Sequence, residues 1–138
     1  MSLQKLQNAL FCFALAAVVP VVSRAGGVTC HYVYGGEEHV LAVAPTAAPY
    51  TVPAIAVGSY FQFRVVLEEG PRAAVHVYTY AAHGESRALV HEAAYRYPPP
   101  ADAGADYGFT GYQRVYEPAL GSELEYWCET AQAVAAQR

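Results

Sequence analysis

From Gly26 onward this chain is a succession of short runs rich in Val, Tyr, Phe and Thr, each closed by a Gly- or Pro-containing turn. No stretch carries helical periodicity over a convincing length, so whatever core forms must be made by strands. The clearest run is Tyr60 to Glu68. Phe61, Phe63, Val65 and Leu67 fall on one face, and Gln62, Arg64, Val66 and Glu68 on the other. Val28 to Tyr34 and His39 to Ala44 flank Gly35-Gly36-Glu37-Glu38 and read as a hairpin. A two-residue or a four-residue turn there keeps Cys30 on the same face as Leu41 and Val43, which marks that face as the buried one.

Pro45 to Pro49 reads as a loop, and Pro53 confines Tyr50 to Val57 to an edge strand or an irregular crossing. Ala73 to Ala81 and Arg87 to Tyr95 form a second hairpin about His83-Gly84-Glu85-Ser86. Tyr112 to Glu117 and Glu123 to Glu129 close the domain. Seven or eight short strands with evenly spaced turns indicate an all-β fold, an antiparallel β-sandwich (immunoglobulin-like) or a small barrel.

The first 25 residues have a different character. Lys5 precedes the apolar stretch Ala9 to Val22, and Ser23-Arg24-Ala25 places small residues at −3 and −1 of a cleavage site. That is the pattern of a secretory signal peptide, and the apolar stretch is shorter than the roughly 20 residues of a membrane span. The expected organisation is a leader over 1–25, one domain over 26–130 and a flexible tail over 131–138. The expected location is the periplasm or the extracellular space, with no transmembrane segment after cleavage.

Removal of the leader leaves two cysteines, Cys30 and Cys128, near the two ends of the domain. Two thiols in a small exported domain are expected to pair. The mature chain would keep six Arg, no Lys and all twelve acidic residues, a formal charge of −6. That balance argues against nucleic acid and against anionic membrane surfaces, both of which demand basic patches.

One short run resembles a known feature. Tyr126-Trp127-Cys128 places a Tyr two residues before a Cys, as in the tyrosine corner of immunoglobulin domains, and the resemblance covers that one strand.

Candidate chemistry is sparse. Ser59, Ser86 and Ser122 lack a nucleophile signature, and the carboxylate pairs Glu37-Glu38 and Glu68-Glu69 fall at turns, so no catalytic role is expected. His76 and His91 lie on the two strands of one hairpin. A register that pairs Tyr80 with Arg87 sets them directly opposite each other, and one residue away His76 faces Glu92. With His83 in the turn, these residues are the candidates for a copper or zinc site. Tyrosine is the more unusual signal: all twelve lie after the leader. Tyr78 and Tyr80 fall on an outward phase, and Tyr97, Tyr107 and Tyr112 flank the long Pro- and Gly-containing segment 97–111. Large, polar-tipped rings on a rigid β scaffold suit recognition. The sequence therefore leads to an exported, non-catalytic binding or assembly module that meets a protein or a glycan through these tyrosines and needs no cofactor. A periplasmic copper- or zinc-binding protein is the alternative.

Overall fold

A computed structural model describes residues 26–103 and 106–131. The expected leader, and the expected tail beyond Ala131, lie outside the described residues. The strands are β1 (Val28–Tyr34), β2 (Glu37–Val43), β3 (Pro45–Thr46), β4 (Ile55–Val57), β5 (Phe61–Glu68), β6 (Ala74–His83), β7 (Ser86–Arg96), β8 (Gln113–Glu117) and β9 (Ser122–Thr130). One 3-10 turn, Pro49–Thr51, separates β3 from β4. No helix among the described residues is long and apolar enough to cross a membrane.

Two sheets form. The first has the order β2-β1-β9-β8 and is antiparallel throughout. The second runs β3-β5-β6-β7, with β4 sharing the β3 edge of β5. The expected Tyr50–Val57 crossing resolves into the 3-10 turn and the three-residue β4. Prolines at 45, 49 and 53 explain the division, since each removes a ladder donor and keeps that edge short.

The core lies between the sheets. Phe61, Phe63, Val65 and Leu67 of β5 and Val75 and Val77 of β6 face Val28 and Cys30 of β1, Leu124, Tyr126 and Cys128 of β9, and Val115 of β8. All are buried, and each such side chain contributes about 1.5–3 kcal/mol by leaving water. Rings link the layers: Phe63 lies 5.4 Å from Tyr126 and 5.7 Å from Tyr32, centroid to centroid. The first hairpin turns on two residues, Gly35 and Gly36, both at positive φ, where a side chain would be strained. Cys30 and Leu41 are cross-strand partners, so the buried face is the expected one.

Cys30 and Cys128 form the expected disulfide. They are directly opposite residues of neighbouring strands in one sheet, whereas the bridge of antibody domains joins two sheets. The Tyr126 hydroxyl meets His91 on the facing sheet, so the run that resembles a tyrosine corner is used here to tie the layers together.

Candidate binding surface

Strand β6 points His76, Tyr78 and Tyr80 outward because its other phase, Val75, Val77 and Thr79, is buried. Alternate residues of a strand lie about 6.5–7 Å apart, and the rings stack at that spacing. His76 and Tyr78 are 6.2 Å apart at 12°, and Tyr78 and Tyr80 are 6.5 Å apart at 20°. Cross-strand arginines flank the ladder. The Arg64 guanidinium carbon is 5.1 Å from the Tyr78 centroid and that of Arg87 is 4.8 Å from Tyr80, contacts worth about 0.5–1 kcal/mol each.

Both arginines are held by neutral groups. Arg64 donates to the Val52 carbonyl at 2.8 Å and the Pro49 carbonyl at 2.6 Å, which fixes the 3-10 turn carrying Tyr50, 94% exposed. Arg87 donates to Gln62 Oε1 at 3.3 Å. Leu89 is the cross-strand partner of Tyr80 and is half exposed. The Tyr78 hydroxyl is pushed above its ordinary range by burial first and then by Glu92, so it is a neutral donor and acceptor.

The histidines part company. Near its turn the β6–β7 hairpin pairs Tyr80 with Leu89, then the register shifts and Thr79 pairs with His91, leaving Val90 as an extra residue. This bulge reverses the phase of β7, because a one-residue slip sends every later side chain to the other face. His76 faces outward opposite Ala94, and His91 faces the core opposite Thr79. Neither expected register forms, and the two imidazoles lie on opposite faces of their sheet. His83 goes elsewhere again, 3.0 Å from Glu117 Oε1. Among the described residues no group of three or more His, Cys, Asp or Glu is arranged to hold a metal ion.

The tyrosines of segment 97–112 belong to other parts of the molecule. Tyr97 packs against the core, and its hydroxyl donates to the Gly26 carbonyl. Tyr107 and Tyr112 lie on the outer face of the first sheet around Trp127. Tyr112 stacks on Trp127 at 5.7 Å, Tyr107 meets it edge-on at 5.5 Å, and His31 covers the indole at 4.8 Å with planes 3° apart. Trp127 thus holds the segment down. A hydrogen bond to Glu125 pushes the Tyr112 hydroxyl above its ordinary range, with burial adding to the shift.

Backbone pairing completes the tether. Gly108 bridges to Cys128, Phe109 N–H donates to the Cys128 carbonyl at 3.0 Å, and Cys128 N–H donates to Thr110 Oγ1 at 2.8 Å. Gly108 has φ +57°, and a Cβ there would sit 2.1 Å from the Cys128 carbonyl oxygen. Gly108→Ala is therefore expected to lower stability by about 2–3 kcal/mol and to free the segment, read as lost Trp127 near-ultraviolet dichroism in a urea titration. An unchanged midpoint would mean that the bridge is dispensable.

No protein family, curated protein or solved structure matches this chain. The site therefore rests on its own geometry.

A second buried feature lies at the far end of the sandwich. Glu117 is fully buried, and its carboxylate accepts from Ala119 N–H at 2.8 Å, Leu120 N–H at 2.7 Å and His83. Burial alone would raise its pKa, yet these donors outweigh burial and hold it below the ordinary carboxylate range. It closes the β8–β9 turn and clasps the tip of the β6–β7 hairpin, a structural duty. The opposite end holds an open cleft of about 970 Å³ lined by Leu67, Pro71, Ala73, Arg96, Tyr97 and Pro98, among others.

Among the residues proposed from sequence, the structure unites Tyr78 with Tyr80 and unites Tyr107 with Tyr112, on opposite outer faces. Arg64, Arg87 and Leu89 were not singled out. The signal for the arginines was present: each is a long cationic side chain on an outward strand phase beside an outward tyrosine.

Proposed function

We propose that this chain is an exported, non-catalytic binding module whose partner-facing surface is the outer face of β5, β6 and β7, and that its partner is a protein. The observation that carries this reading is the Tyr78–Tyr80 ladder flanked by Arg64 and Arg87 on three long paired strands. Tyr and Arg are the residue types that dominate binding energy at protein interfaces, and a strand ladder presents them at low ordering cost. Export is supported by the leader pattern and by a disulfide that suits an oxidising compartment.

Protein is favoured over glycan by ring orientation. The Tyr78 ring has His76 and Tyr80 stacked along β6 and a guanidinium against it, so no broad ring face is left for a sugar to lie on.

The double substitution Tyr78→Ala with Tyr80→Ala is expected to weaken partner capture by about 30-fold or more, the scale of one hot-spot residue, while the thermal midpoint changes little. The measurement is cross-linked capture from the exported fraction, scored against wild type by quantitative mass spectrometry. Undiminished capture by the folded double variant would remove this face from consideration. Capture transferred to glycans on an array would replace the protein partner with a sugar.

A further inference from the structure

The two outer faces of the sandwich differ in charge. On the first sheet, Glu38, Glu123, Glu125 and Glu129 point outward, with Arg114 the one arginine among them. Arg114 lies 3.6 Å from Glu123 and 3.3 Å from Glu125, and His31 takes Glu38 at 2.8 Å, so the face keeps an excess of negative charge. On the second sheet, Arg64, Arg87 and Arg96 point outward with His76, against Glu68 and Glu92. Among the described residues no carboxylate lies within 4.0 Å of any of these three arginines. Three arginines against two carboxylates on one face, beside four carboxylates against one arginine on the other, make unlike faces the better-matched pair.

We propose that the partner accepted by the outer face of β5–β7 is the outer face of β1, β8 and β9 on a second copy of this chain. This rests on the reading above that the β5–β7 face is the partner-facing surface. The contact places Arg87, Arg96 and the Tyr78–Tyr80 ladder of one copy against Glu38, Glu123, Tyr107 and Tyr116 of the next. Tyr107 and Tyr116 are 45% and 55% exposed and supply apolar area on the acidic side. The interface is heterologous, because a face meets a different face, so each bound copy leaves one of each kind free and the chain of copies can extend. Two faces of the same kind would bring like charges together, which opposes a two-fold dimer.

The test uses the full chain exported through its own leader. Sedimentation velocity over a concentration series at about 20 mM salt is expected to show species growing beyond the dimer. At about 300 mM salt, where the Debye length is shorter than 8 Å, association is expected to be about tenfold weaker. Two variants dissect the contact: Arg87→Ser with Arg96→Ser, and Glu38→Gln with Glu123→Gln. None of the four side chains is buried. Each variant alone is expected to be a monomer, and their mixture is expected to form a 1:1 complex that grows no further. A wild type that stays monomeric at every concentration and low salt overturns the proposal, and so does a closed dimer indifferent to Glu38→Gln with Glu123→Gln. Either result leaves capture through Tyr78 and Tyr80 standing, because that is measured separately, as cross-linking to any protein of the exported fraction.

Discussion

Replacing both Cys30 and Cys128 with Ala is expected to cost about 3–5 kcal/mol of folding stability and to lower the thermal midpoint by roughly 15–30 °C. The bridge has a sequence separation of 98 residues, so nearly the whole domain lies inside the loop it closes. The chain-entropy treatment assigns about 4.7 kcal/mol to a loop of about 100 residues. The loss is a large part of the total, since domains of this size hold about 5–15 kcal/mol. Both half-cystines are fully buried, so the substitution also leaves a small void within the core cluster. β1 and β9 still pair through their backbones, so the far-ultraviolet spectrum of the variant should remain that of a β protein. Thermal melts of the variant, and of wild type with a reductant, check this. A double variant within 1 kcal/mol of wild type would mean that the unfolded chain is already held compact by other contacts.

The second large effect is expected at Tyr126. Its side chain is fully buried in the middle of β9, against Phe63 and within 2.7 Å of His91 Nε2. Burial, then Tyr95, pushes its hydroxyl far above the ordinary range, so it stays neutral and serves only as a hydrogen-bonding group. Tyr126→Ala should cost about 3–5 kcal/mol through the cavity it opens. Tyr126→Phe keeps the ring and should cost about 1–2 kcal/mol, because it leaves His91 Nε2 without its partner.

This pair also carries a pH signature. Burial lowers the pKa of His91 in the folded chain, so between that value and its ordinary one the unfolded chain binds more protons. The stability associated with neutral His91 is therefore present above about pH 6.5 and is lost as pH falls toward the lowered value. Chemical denaturation at intervals from pH 7 to pH 5 should show a falling midpoint in wild type and a flatter one in His91→Gln. Parallel slopes would mean that His91 is not the group that titrates.

Much of the fold was legible because strand alternation reports burial directly. Phe61, Phe63, Val65 and Leu67 announced the inward phase of β5, and Cys30 shares its face with Leu41 across two glycines whose positive φ sets the turn. Pro53 pointed to the edge position that β4 occupies, whereas Pro45-Thr46, read as loop, pairs with β5 as the two-residue β3. The candidate surface was legible in part. Tyr78 and Tyr80 sit two apart on one strand, so their common face follows from the pleat alone, whereas their arginine neighbours depend on which residues of β5 and β7 lie across from them.

His76 and His91 mark where that reading stops. An extra residue at Val90 reverses the phase of β7, and nothing local in Leu89-Val90-His91 distinguishes a bulge from regular alternation. Segment 97–112 stops it in a second way. Its tyrosines were grouped by closeness along the chain, yet Tyr97 turns into the core while Tyr107 and Tyr112 cross to Trp127 on the other sheet.

The sequence by itself determined the long strands, the inward phases of β1, β2, β5 and β6 and the pair of cysteines, because period-two alternation and turn residues act within a few residues of chain. Only the tertiary structure decided which outward side chains share a surface and that the two surfaces differ in charge balance. Those outcomes depend on the register between strands and on the assignment of strands to sheets, which are set by packing between residues far apart in the chain.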